Sequence, residues 1–434
     1  MKVLSRPVER SEKLPRATGE VTLRRIPYPY QCALAICSDI DNTESTQELL
    51  DIHRFLNTKQ ATPMGEGVGL EIGNSFYFYD KDRYFSYFTG DDRAQETTLE
   101  LIRAGYLDVP HSYGNAAQDR DDIARALDVL REANCSLDVW VNHNGARSNL
   151  SRKFEYMFGG CEGDDPASNT YHADLTVEYG IRFAWVGGFT RLVGQSTGAS
   201  ANSIATLFET ASPWRSSVNI LKEMRKRALG RMGDERFLAH RDNRLMNVLQ
   251  LGDGQRVFEF VRYCNHPDGV RAGGTARGLA TALSPRTLRQ LKRAEGFMIA
   301  YTHLGQNAGC RHVIPEETQV ALRNLEREYR DDRIYVTTTS KLLNYFHARE
   351  YLDWTSEVTD GRTRIEIRAI CDPIFGHQEP TLDRLQGLTF YVPDSGEAVV
   401  SIRGCEVSNL QRNAADGRGS QSVTLPFHHL TFPF

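Results

Sequence analysis

Ala33-Leu-Ala-Ile-Cys-Ser-Asp39-Ile-Asp41-Asn-Thr43 is a short apolar run that ends abruptly in two carboxylates one residue apart. It is too short for a helix and has no polar alternation, so it reads as a strand buried on both faces. Such strands belong to parallel sheets, and acids at their C-terminal ends lie where ligands and metals bind. Three further runs of this type lead into histidine: Tyr106-Leu-Asp-Val-Pro-His111, Ser136-Leu-Asp-Val-Trp-Val-Asn-His143 and Phe297-Met-Ile-Ala-Tyr-Thr-His303.

Helical patterns separate the strands. They are expected over 43–57 with Thr43 or Ser45 as cap, then over 96–104, 119–134, 315–330 and 339–350, with Ser284-Pro285 opening another. Further strands are expected at 75–79, 181–186, 257–263 and 333–337. Alternation of strand with helix or long loop predicts a parallel sheet with right-handed crossovers, closed as a barrel or doubly wound. Such a barrel takes ~250 residues, more with insertions, and 30–350 fits it. Before it, 1–30 reads as an extended arm, with prolines and aromatics interleaved in Arg24-Arg-Ile-Pro-Tyr-Pro-Tyr30. The stretch 190–250 reads as an insertion with a basic helix at 217–229. Past 354 the helical periodicity stops, and 355–434 reads as a small antiparallel β-domain.

Composition is that of an ordinary globular protein of 434 residues, with 40% hydrophobic and 25% charged residues. The net charge of −4 gives no reason to expect nucleic acid as a partner. No run approaches the ~20 apolar residues that span a bilayer. The first twenty residues lack the apolar core of a signal peptide, which makes the cytoplasm the default compartment. Eight cysteines are scattered with no CxxC pair, and buried reduced thiols are the expectation.

If the strands are parallel, Asp39, Asp41, His111, His143 and His303 meet at one mouth. Carboxylate plus imidazole is the ligand set of Zn²⁺ or a similar divalent ion acting on water. The remaining acid and histidine would serve as general base and general acid.

These residues resemble the motifs of the polysaccharide deacetylases, metal-dependent carbohydrate esterases. Ser38-Asp39-Ile-Asp41 is similar to that family's Asp-x-Asp first motif, His111-Ser-Tyr-Gly-Asn115 to its His-Ser/Thr-x-x-His second motif, and Tyr301-Thr-His303 to its late catalytic histidine. The resemblance covers roughly 30–350. It implies a distorted (β/α) barrel of about seven parallel strands, with Asp39 as catalytic base, His303 as catalytic acid, and Asp41 and His111 on a zinc ion. Asn115 replaces the family's second metal histidine, and either Asn115 or His143 would complete the site. The third motif is replaced by Val141-Asn142-His143-Asn-Gly145, and Trp185 stands near the place of an Asp–Trp motif without its Asp. Asn142, Trp185, Arg262 and His172 are the expected substrate-binding residues. The implied activity is removal of an acyl group, N-acetyl first, from an amino sugar in a polysaccharide or glycan precursor.

Other readings stand beside this one. Asp39 and Asp41 can cap the next helix, or serve as the acid/base pair of a glycoside hydrolase or lyase. Asn115 in place of histidine also suits a carbohydrate-binding protein with weakened turnover. The terminal β-domain is open to sugar recognition, homo-oligomer formation or capping of the barrel. His172 can pair with Asp174 in a loop, and the aromatics of 76–88 read mostly as core.

Overall fold

In the computed structural model, residues 20–82, 84–116, 118–196, 213–307, 309–417 and 419–434 are described. Residues 1–19 of the expected arm and 197–212 of the expected insertion lie outside the described residues.

The fold is mixed α/β, with parallel strands at its centre. The opening run forms β1 (Cys32–Ser38), and all of it is buried. Its two faces have different neighbours. Cys32, Leu34 and Ile36 pack with Met298, Leu322, Ile334 and Val336. Ala33, Ala35 and Cys37 pack with Phe76, Val109, Val139 and Phe297. That division explains why the run shows no alternation.

The strands that follow are β2 (Asn74–Phe76), β3 (Leu107–Pro110), β4 (Val139–Val141), β5 (Phe183–Trp185) and β6 (Phe189–Thr190). Next come β7 (Met246–Gln250), β8 (Arg256–Phe260), β9 (Arg262–Tyr263), β10 (Phe297–Thr302) and β11 (Ile334–Thr337). One seven-stranded sheet holds β1, β2, β3, β6, β9, β10 and β11, and a four-stranded sheet holds β4, β5, β7 and β8. β1 pairs in parallel with β10 from Ala33↔Phe297 to Ser38↔Thr302, with β11 at its start and with β2 at its end. A parallel bridge between His111 and Val141 joins the two sheets at β3 and β4. Among the described strands of these two sheets, only β7 runs antiparallel, against β8.

Helices form close to where their caps predict. Ser45, rather than Thr43, caps the helix Thr46–Asn57 by accepting from the Glu48 N–H. Asp119 caps Arg120–Glu132, whose Ile123, Leu127 and Leu130 are buried. The expected insertion contains the helix Pro213–Arg231 and then β7.

The C-terminal part follows the last helix without a break, and one expectation about it, strand direction, is corrected. The strand Leu352–Thr359 begins where the helix Thr339–Tyr351 ends, so the expected boundary after 354 falls inside a strand. The β-region is not wholly antiparallel. Arg362–Asp372 pairs antiparallel with Leu352–Thr359 but parallel with Ala398–Ile402. Apolar alternation reports which face is buried and carries no information on strand direction. The intervening strand Thr389–Val392 leaves for another sheet, where it takes Thr22–Leu23 of the arm and Gln421–Thr424 as neighbours. The tail then returns to the α/β body: Leu430 N–H donates to Glu71 (2.9 Å) and Lys341 to the His428 carbonyl (2.8 Å).

All eight cysteines are free thiols. Five are buried as expected, whereas Cys371 and Cys405 are exposed. Among the described residues no helix is long and apolar enough to cross a membrane.

Candidate metal centre

Period-two geometry continues past the strand ends and sets the site. Asp39 and Asp41 extend the face of Ala33, Ala35 and Cys37. His111 extends that of Leu107 and Val109, His143 that of Val139 and Val141, and His303 that of Phe297, Ile299 and Tyr301. Apart from Tyr301, those apolar residues share one core cluster, so the polar residues that follow them arrive together.

Asp39, Asp41 and His111 form a group whose candidate ligand atoms all lie within 4.8 Å of one another, and this group can hold a metal ion. His111 Nδ1 is 3.5 Å from Asp41 Oδ2. On the other side of its ring, Nε2 meets the Asn142 carbonyl at 3.2 Å. A proton shared with that carbonyl leaves the Nδ1 lone pair facing the acid, the outer-shell arrangement that orients metal-ligating histidines. His143 Nε2 reaches Asp41 Oδ1 at 2.9 Å. His303 Nε2 lies 3.6 Å from Asp41 and 3.8 Å from Asp39, while its Nδ1 is held by the Gly274 carbonyl at 2.8 Å. Asp39 and His111 are sealed in, whereas Asp41, His143 and His303 keep some exposure and form the open side.

Burial acts to raise the pKa of Asp41. The hydrogen bond from His143 and the charges of His111, His303 and His143 outweigh it and hold this carboxyl well below the usual range. Burial pushes His111 down to about 4 against the pull of Asp39 and Asp41. Tyr77 stacks on His111 (5.2 Å between ring centres) and meets His143 edge-on. Burial first, then the charges of Asp41 and Asp39, keep its hydroxyl protonated.

Behind Asp39 stands Arg262. Its Nη1 donates to Asp39 Oδ2 at 2.8 Å, and both side chains are buried. The guanidinium lies over Trp185 (4.1 Å) and Tyr301 (5.3 Å). Trp185 is itself tied down through Nε1 to the Gly188 carbonyl. Arg262, expected from sequence to contact substrate, is 0% exposed and meets Asp39 from within the fold.

The side chains of three other expected site residues are engaged away from the acids. Asn115 does not face the cluster: its Nδ2 donates to Asp80 and Asp82, and its Oδ1 accepts from Lys81 N–H. His172 is fully buried between Trp140 and Tyr113, bonded to Thr176 Oγ1 and the Ser148 carbonyl. Its expected partner Asp174 pairs with Arg120 instead. The Asn142 amide is buried and bonded to Trp140 Nε1 and to both backbone groups of Leu150. In each case a side-chain amide or imidazole serves the polar backbone of an irregular stretch, a need that residue type alone does not reveal.

Sequence reasoning missed Tyr77 and Gly274. Tyr77 sits among four consecutive aromatics, Phe76 to Tyr79, and only parity with Ser75 marks it as inward-facing. The Gly274 carbonyl has no signal in the sequence.

No protein-family model matches the chain, and comparison with curated proteins likewise gives no match.

Proposed function

We propose that this protein is a metal-dependent hydrolase that removes an acyl group, N-acetyl first, from an amino sugar of a glycan or glycan precursor. The observation that carries this reading is the convergence of two carboxylates and three imidazoles on one partly open point. The donor set fits a divalent cation. Asp39 Oδ1 and Asp41 Oδ2 are buried and have no hydrogen-bond partner among the described residues. Acceptor atoms crowded together without donors are unfavourable unless a cation joins them.

In this reading Asp41, His111 and His143 hold the ion, with His143 in the place that Asn115 leaves vacant. Carboxylate and imidazole donors favour zinc. A zinc ion there supplies Lewis-acid chemistry, polarising an acyl carbonyl and acidifying water. Asp39, fixed by Arg262 through Oδ2, presents Oδ1 to take the proton of the attacking water. His303, held through Nδ1 by Gly274, presents Nε2 to protonate the departing amine nitrogen. Water thus divides between the acyl carbon and the amine as the C–N bond breaks.

The reading includes a distorted parallel barrel as scaffold. Support comes from the pairings, which pass in parallel from β1 through β2, β3, β4 and β5 to β8. The chain continues from β8 into β9, which pairs with β10, and β10 pairs with β1.

The test is acetate release from acetylated oligosaccharides by zinc-loaded protein, with circular dichroism as the folding control. Asp39→Asn and His303→Ala should each slow release by about a hundredfold or more with the fold intact. Unchanged turnover in both variants would refute the assignment.

A further inference from the structure

His143 differs from the other members of the site in its support. It follows β4 by two residues and sits at the start of an irregular loop that runs to Leu150. A ligand on a loop needs its backbone fixed by something other than a ladder.

Two buried asparagines close that loop from opposite ends. Asn142 Oδ1 accepts from Leu150 N–H (3.0 Å) while its Nδ2 donates to the Leu150 carbonyl (2.7 Å). Asn149 does the reverse. Its Oδ1 accepts from His143 N–H (2.8 Å) and its Nδ2 donates to the His143 carbonyl (2.6 Å). Each side-chain amide therefore satisfies both backbone groups of one residue, as a neighbouring strand would. Asn149 Oδ1 also accepts the Ser112 hydroxyl. Ser112 directly follows His111 and donates its own N–H to the Val141 carbonyl (2.9 Å). One buried amide thus touches two of the three segments that bring imidazoles to Asp41.

We infer that Asn149 is the positioning residue that sets His143 against Asp41 and fixes its placement relative to His111. This rests on the proposed metal-site reading. Asn149 touches neither the acids nor any reacting atom; it acts through the backbone of His143. Because Oδ1 and Nδ2 have distinct partners, a carboxylate of the same shape cannot replace the amide: it accepts from His143 N–H but offers no donor to the His143 carbonyl.

The experiment measures cobalt(II) binding by visible absorption and zinc binding by competition, on wild type, Asn149→Asp, Asn149→Ala, His143→Ala and the double variant His143→Ala/Asn149→Asp. Thermal unfolding is followed in parallel in chelator. Asn149→Asp should weaken binding by about ten- to hundredfold, the usual effect of losing a group that orients a metal ligand. In the His143→Ala background the same substitution should change affinity less than about twofold, because the residue it positions is gone. Asn149→Asp keeps the side-chain volume, so the cycle survives if Asn149→Ala fails to fold. An equal loss in both backgrounds would show a general structural role and overturn the inference. Failure of wild type to bind cobalt would instead overturn the metal-site reading itself.

Discussion

Replacing Arg262 by Met should destabilise the protein far more than an ordinary substitution of arginine. Arg262 and Asp39 form a fully buried pair, 2.8 Å apart, with side-chain exposures of 0% and 3%. Removing the guanidinium takes away the cation hydrogen-bonded to Asp39 and leaves that buried carboxylate beside Asp41. Breaking a buried pair by deleting one member costs about 3–5 kcal/mol, because the remaining charge stays desolvated. Loss of the contacts with Trp185 and Tyr301 adds about 0.5–2 kcal/mol, and Met recovers part of the packing. The expected loss is therefore about 4 kcal/mol. It is to be read from urea unfolding in the presence of chelator, so that a bound cation cannot take the place of the lost charge. Arg262→Met/Asp39→Asn, which removes both charges, should recover more than half of the loss. A cost below about 1 kcal/mol for Arg262→Met alone would refute the reasoning, since that is the range of an exposed ion pair.

Two further outcomes are expected. Asn115→Ala should leave metal affinity within about twofold of wild type, while His143→Ala weakens it by about tenfold or more; the reverse order, read by the same cobalt titration, would place the ligand wrongly. Glu71 is pH-dependent glue for the returning tail. Burial acts to raise its pKa, but His429, Lys341 and the Leu430 N–H overcome this and hold it at about 2, below its ordinary 4.5. A depressed carboxyl pKa stabilises the fold above the unfolded value and loses that stabilisation as pH falls from about 4.5 towards 2, a contribution of about 3 kcal/mol. The difference in unfolding free energy between wild type and Glu71→Gln should shrink across that window, and a constant difference would count against the assignment.

The central strand and its acids were legible in the sequence because burial on both faces leaves a composition that no helix or surface strand shares. The same holds for His111, His143 and His303. Each continues the parity of an apolar strand, so a local rule predicts which way it points. The helix starts at Ser45 and Ser284 were legible for a similar reason, since a cap involves residues three apart in the chain.

The contacts that Asn115, His172, Asn142 and Arg262 make were not legible, for one common reason. Their residue types suit ligands and substrates, but residue type does not say which partner each takes, whether near, as for Asn142 with Trp140, or far. Arg262 bonds a residue 223 positions away, and Asn115 one that is 35 away. The same limit hid the parallel pairing of Arg362–Asp372 with Ala398–Ile402. Sequence by itself determined which side chains leave each strand on the inner face. Only the tertiary structure decided which of them meet, because hydrogen bonds and charge act over ångströms in space and leave no periodic mark on the chain.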